Sequence, residues 1–335
     1  MTVLPADTSI NNSPESILTV DPQRVETLQT PYREFKRRAG LGGFWQTARS
    51  KVEWNFQPYY FYKPPKWRVL ARSMTSSRRM MPSFASIGAV RSGTSFLSSY
   101  IFQHPHMVLP LAKEISFPAT MRELMAYFPS HSAQRAAQRE NGGAITGYCT
   151  PIMPNLLWIF LAKSMFPNLR VVVVLRDPVE RVFSHWRWDQ QRSISHKIVD
   201  PLWKGIPDFE TIVETEQEAI RGGGIGIPAF SGVRTGYLQH SIYAPFLRVL
   251  LAEFGKERVF IVDAAELFRD PQCVTKRIYS FLGVPPVEPL VIEERNSGPP
   301  GVLADATRSR LIEFFRPYNE DLYRLLGKDF GWGAL

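Results

Sequence analysis

The strongest pattern along the chain is Arg170-Val171-Val172-Val173-Val174-Leu175, an unbroken run of β-branched and aliphatic residues. A strand without polar alternation predicts a parallel neighbour on each side and burial on both faces. Phe84–Val90 and Arg258–Val262 are two more short apolar runs of strand length. Between and beyond them, apolar residues recur at helical spacing in Phe96–Phe102, Leu156–Met165, Pro178–Gln191, Ala244–Phe254 and Pro271–Leu282. The last of these ends at Gly283, just before Pro285. Strands alternating with helices predict an α/β domain: a three-layer sandwich around a central, mainly parallel sheet. No internal repeat is present. Residues 1–30 are polar with little periodicity and read as disordered. Residues 31–80 read as a basic aromatic arm, and residues 81–335 as the folded domain.

Charge changes this picture in one place. The chain of 335 residues carries a net charge of +9. Residues 33–79 hold twelve Lys/Arg against Glu34 and Glu53, so that stretch accounts for all of the excess. Such a field attracts anions: nucleotide phosphates, sulfated glycans, nucleic acid or anionic lipid. Aromatics interleave with the cations from Phe44 to Trp67, as a stacking surface for nucleic acid would require. No nucleic-acid fold signature accompanies them, which favours an arm that packs its aromatics on the domain and leaves its charges in water. Nucleic acid is therefore not expected as a partner.

Composition excludes several classes. Cys149 and Cys273 stand alone and far apart, so neither a disulfide scaffold nor a structural zinc site is expected. No apolar run approaches the ~18 residues of a membrane span. The first residues lack a basic stretch followed by an apolar one, so no secretory signal is read. Together these point to a soluble, cytoplasmic protein.

Two motifs carry the chemistry. Gly88-Ala89-Val90-Arg91-Ser92-Gly93-Thr94-Ser95 follows a predicted strand and opens a helix. Loop amides and a helix N-terminus there form an anion cradle. The Gly-x4-Gly spacing is P-loop-like, but Thr94 stands where the phosphate-binding Lys belongs, which weighs against an ordinary kinase or ATPase. The cation sits earlier, at Arg91. The second motif, Leu175-Arg176-Asp177-Pro178 through Ser184-His185-Trp186, follows the buried strand at its carboxyl end, where ligands of open α/β sheets bind. Arg176 and Ser184 could give a guanidinium fork and a hydroxyl to one phosphate. The plain alternatives are a strand-to-helix turn without a ligand and a structural Arg–Asp cap.

Taken together, these segments resemble the PAPS-dependent sulfotransferases, in their segments nearest the heparan sulfate and bacterial branch. RSGTS resembles the 5′-phosphosulfate loop, and LRDPVERVFSHW the 3′-phosphate motif. Gln103–His106, Lys113-Glu114-Ile115-Ser116-Phe117, Gly147-Tyr148-Cys149-Thr150-Pro151 and the closing stretch from Phe315 to Gly327, then Trp332, also match in order. The resemblance implies transfer of a sulfuryl group from PAPS to a hydroxyl or amine, with no metal. It implies that Arg91 stabilises the transferring charge, as an always-ionised cation can. Ser92, Gly93, Thr94 and Ser95 would hold the 5′-phosphate, Arg176 and Ser184 the 3′-phosphate. Glu114 falls where the heparan branch places a catalytic carboxylate, and a solvated Glu beside Lys113 is the alternative.

Departures are clear. The Glu and Lys of the GEKTP segment are Tyr148 and Cys149 here. Arg295, in the late loop, could replace a missing Lys at the donor. Trp188 stands where some members have His, with His185 nearby, and Trp186 and Trp188 could stack on an acceptor or pack in the core. His104 and His106 read as structural. The expected acceptor is a carbohydrate, with a small metabolite as first alternative. A kinase and a non-catalytic nucleotide- or nucleic-acid-binding protein on this fold are the readings from other classes. Oligomeric state is not legible.

Overall fold

A computed structural model of the chain describes residues 18–24, 59–60, 64–115, 120–195, 207–223, 236–292 and 301–333. In chain order the elements are α1 (Lys66–Ser73), β1 (Phe84–Ser86), α2 (Thr94–Ile101), α3 (Met121–Met125), α4 (His131–Asn141), β2 (Gly147–Cys149), α5 (Leu156–Met165) and β3 (Arg170–Leu175). Then follow α6 (Pro178–Ser195), α7 (Phe209–Arg221), α8 (Ala244–Phe254), β4 (Val259–Asp263), α9 (Ala264–Arg269), α10 (Pro271–Leu282) and α11 (Asp305–Leu326).

The four strands form one parallel sheet in the order β2-β1-β3-β4. The valine run is β3, and its alternate residues enter two different cores. Val171, Val173 and Leu175 pack with Trp158 and Ile159 of α5, Phe246 and Leu250 of α8 and Leu322 of α11. Val172 and Val174 pack with Leu97 and Ile101 of α2 and Val274 and Ile278 of α10. Helices thus cover both sheet faces, the expected three-layer architecture. Fully burying one such valine contributes about 1.5–3 kcal/mol.

Two details differ from the sequence pattern. The first strand is regular over only three residues, because the backbone turns at Gly88 (φ +149°). Its pairing nonetheless continues irregularly: Ile87 N–H donates to Val172 O at 3.0 Å and Val174 N–H to Gly88 O at 2.7 Å. β2 was legible only as a motif segment, since three residues give no periodicity.

Of residues 1–30 only 18–24 are described, and they lie against the domain: Val20 is buried and Arg24 donates to the carbonyls of Phe102 and Met107. Within the basic arm, Tyr59 and Tyr60 are buried as expected of arm aromatics, whereas Trp67 is 48% exposed. α1 reverses that expectation. Arg68 donates to the Tyr60 hydroxyl, and Arg72 to Ala126 O and Phe128 O at 2.6 and 2.7 Å. Leu70 and Met74 face outward at 69% and 82% exposure. The carbonyls just after α3 need donors, and the Arg72 guanidinium reaches two of them where an aliphatic side chain could not.

Candidate functional site

The sheet order makes β1 and β3 neighbours while the chain leaves β1 toward β2 on the opposite side. A crevice therefore opens beyond the carboxyl ends of β1 and β3, the usual ligand position of an open α/β sheet. Both sequence motifs lie there.

Gly93 is the N-cap of α2, with φ +90° and no side-chain cap. An added Cβ would fall 2.8 Å from the Phe268 ring, so both the backbone and the space require glycine. The first amides of α2 therefore receive no side-chain cap. Ser92 is fully buried, and its Oγ has no hydrogen-bond partner among the described residues. Arg91 adopts φ +64°, left-handed for a non-glycine residue, a conformation that costs about 1 kcal/mol or more. These features suit an anion held by the loop.

The structure brings the two motifs together at Arg91. Arg91 Nε donates to Ser184 Oγ at 3.4 Å, and Arg176 Nη1 donates to Arg91 O at 3.1 Å. The Trp188 ring lies 5.5 Å from the Arg91 guanidinium. Arg176 also sits 3.7 Å from Glu180, one turn along α6. Half of the plain cap reading holds: Asp177 Oδ1 accepts from the Val179 and Glu180 amides and starts the helix, while Arg176 turns to the loop.

The candidate base is tied to the start of α2 through Lys113. Lys113 is fully buried, and its Nζ donates to Ser95 Oγ at 2.9 Å and to Glu114 Oε1 at 2.7 Å. Glu114 keeps 29% of its side chain exposed, so it is neither freely solvated nor sealed off. Thr94 is buried at the start of α2. Arg295 lies outside the described residues, as do Ser116 and Phe117.

Tyr148 and Cys149 cannot replace the Glu and Lys they substitute. The Tyr148 hydroxyl accepts from Trp158 Nε1 at 3.3 Å, inside the core. Cys149 is buried, and burial pushes its thiol up to about 12, so it is a neutral packing group at neutral pH. The two also differ in direction: successive strand residues point to opposite faces.

Several residues near the motifs are structural. Trp186 packs on Phe183 and Phe209 and donates to Pro207 O, so it belongs to the core rather than to an acceptor site. His104 Nδ1 accepts from the His106 amide, and its Nε2 donates to Pro285 O at 2.8 Å. Both ring nitrogens are committed to the neutral tautomer, and burial lowers this histidine to about 4. His185 is buried, and burial together with the Arg181 charge holds it well below 6.5. Arg181 Nη1 lies 3.4 Å from its Nδ1.

Arg181 is a residue that sequence reasoning passed over. It is fully buried beneath the loop and donates to Val90 O at 3.4 Å, Ser241 Oγ at 2.6 Å and Tyr237 O. Glu216 of α7 in turn accepts the amides of Gly236, Tyr237 and Leu238 at 2.9, 2.9 and 2.7 Å. A chain of polar contacts thus ties α7, the 236–241 segment, α6 and the anion loop. Nothing in the order of residues distinguishes Arg181 from any solvated helical arginine.

The fold is that of an α/β protein whose two sequence motifs meet at Arg91 beyond the carboxyl ends of β1 and β3. Residues 86–295 match the sulfotransferase domain family, and the chain belongs to it. It is 23% identical over 320 residues to the membrane-associated sulfotransferase kil1 of Dictyostelium discoideum, covering 75% of this chain and 66% of that one. It is 24% identical to heparan sulfate glucosamine 3-O-sulfotransferase 3A1 of Mus musculus, covering 79% and 67%. The chain thus spans about two thirds of the length of these relatives. A crystal structure of a sulfotransferase from Alicyclobacillus acidocaldarius shares the fold, with TM-score 0.52 and 22% identity over 76% of this chain and 99% of that one. The protein is accordingly a transferase of the sulfotransferase family. The expectation of a cytoplasmic protein is corrected by these relatives, one of which is membrane-associated by name. Among the described residues no helix is long and apolar enough to cross a membrane.

Proposed function

We propose that this protein transfers the sulfuryl group of PAPS, the donor general to its family, to a hydroxyl or amine of a carbohydrate acceptor. The observation that carries the donor assignment is the junction at Arg91, where Ser184 and Arg176 meet the anion loop. Several relatives named for heparan sulfate glucosamine support the carbohydrate reading.

Each residue then has a task. The amides after Gly93, with Ser92, Thr94 and Ser95, hold the 5′-phosphate. Arg176 and Ser184 hold the 3′-phosphate, which ATP lacks. Arg91 stabilises charge on the sulfuryl group and on the bridging oxygen. Glu114 takes the proton of the acceptor as its oxygen or nitrogen bonds to sulfur. The bond from sulfur to the bridging oxygen breaks, and 3′,5′-ADP leaves with that electron pair. A positioned base of this kind contributes about 10²–10⁴-fold.

Thermal stabilisation by 3′,5′-ADP, compared with Mg-ATP and 5′-AMP, tests the donor. A ligand that binds only the folded state raises the melting temperature with its concentration. Selective stabilisation by 3′,5′-ADP is expected, and stabilisation by Mg-ATP alone would replace this reading with a kinase. Labelled PAPS with heparan-type oligosaccharides and with small phenols and amines then tests the acceptor, and transfer only to the small molecules would sink the carbohydrate assignment.

A further inference from the structure

We propose that Lys113 is a positioning residue that joins the donor loop to the base, so that Ser95 and Glu114 are held as one unit. The inference rests on the proposed function and on the role given there to Glu114.

A buried ammonium is costly unless it is paired and hydrogen-bonded. Lys113 is fully buried, yet a packing role alone would be met more cheaply by an apolar side chain of similar length. Its Nζ bonds on one side to Ser95 Oγ, in the loop that opens α2, and on the other to Glu114 Oε1. These two oxygens come from separate segments of the chain, and the ammonium spans them. Glu114 is partly exposed, so without this partner its carboxylate would be free to swing among rotamers. A misplacement of about 1 Å at a reacting group can cost about 10²-fold in rate.

The backbone around Lys113 is fixed as well. Its amide donates to Tyr60 O at 2.8 Å, and its carbonyl accepts from the Cys149 amide at 3.0 Å. Lys113 therefore runs beside the end of β2, next to the position where the resembled segment carries its lysine and this chain has Cys149. The Lys113 charge also bears on the Cys149 thiol. The cation missing from β2 is supplied from the adjacent segment, into the same neighbourhood.

The test is a double-mutant cycle on the full chain, with Lys113→Met, Glu114→Gln and both together. Turnover with PAPS is read alongside the melting temperature and the shift given by 3′,5′-ADP. A residue acting through Glu114 gives non-additive losses. The expected result is a kcat lower by about 10–10²-fold for Lys113→Met. The double variant should then lie within about threefold of Glu114→Gln alone. A parental kcat in Lys113→Met, or losses that multiply in the double variant, overturns the inference. A charge-relocation variant, Lys113→Met with Cys149→Lys, should recover at least about tenfold of the lost turnover. Failure to recover, in a protein that still folds and binds 3′,5′-ADP, marks Lys113 as a packing residue only. If Lys113→Met does not fold, Lys113→Arg carries the test, since it keeps the charge on a different arm. Its kcat should fall with the melting temperature and the 3′,5′-ADP shift retained, and an unchanged kcat overturns the proposal. A parent chain that neither binds 3′,5′-ADP nor turns over PAPS sinks the proposed function and this inference with it. An active parent with additive variants sinks this inference alone.

Discussion

Two faces of the same helix do different work. Toward the crevice, α6 presents Ser184 and Trp188 to Arg91. Toward the interior it presents Arg181, His185 and Asp189, spaced by four and all buried. Arg181 is bonded to carbonyls and a serine, and Asp189 Oδ2 accepts from the Tyr237 hydroxyl at 2.8 Å. The first face is half-exposed and its groups can exchange partners with a ligand. The second is enclosed, and every exchange of partner there would strand a buried polar atom. Polar residues one turn apart can therefore be chemical or architectural, and burial decides which.

That contrast makes testable claims, and the largest concerns the base. Glu114→Gln should lower kcat by about 10²–10⁴-fold in a protein that still folds and is stabilised by 3′,5′-ADP. Retained turnover would remove Glu114 from the chemistry. Arg91→Ala should cost about 10²–10³-fold in kcat with the fold retained. Full activity in that variant would break the assignment of the crevice face. On the buried face the effect should appear in stability instead. Arg181→Met should lower the unfolding free energy by about 2–4 kcal/mol in denaturant titration, because several acceptors lose their donor. Parental stability would show that those bonds contribute little. Arg176→Ala should weaken 3′,5′-ADP by about 10–100-fold through loss of a charge-assisted contact, as calorimetry would read. An unchanged affinity would leave the 3′-phosphate without its proposed partner.

The smallest effect concerns pH. His104 is neutral in the fold and titrates near 4, against an ordinary value of 6.5. Between those values the unfolded chain binds a proton that the folded chain does not, so stability falls as pH falls. It is fully present above 6.5. The melting temperature should therefore decline as pH drops from 6.5 toward 4, and less so in His104→Gln. An equal decline in that variant would assign the acid sensitivity elsewhere.

Much of this protein was legible before any coordinates. The valine run announced the central strand because a strand covered on both faces has no polar side to show. Pro178 and Gly283 marked helix ends, since one lacks an amide and the other tolerates a left-handed backbone. The two strand-to-helix motifs were readable because their spacing relative to a strand end carries the geometry. By contrast, β2 was hidden by its three-residue length. The outward turn of Leu70 in α1 was hidden too, because the pattern of a helix shows which residues share a face and not which face turns inward.

The same limit separates what the linear order of residues determines from what the folded molecule decides. Local periodicity and backbone preference depend on near neighbours, so the alternation of strands and helices and the two strand-to-helix motifs follow from the chain alone. Burial and partnership depend on segments far apart in sequence. Only packing could make Lys113 a buried link between Ser95 and Glu114. Packing likewise made Arg181 a brace under Val90 and Cys149 an inert thiol. An ionisable side chain reads alike in water and in a core, and the low dielectric around it, together with the atoms that packing brings within reach, decides what it does.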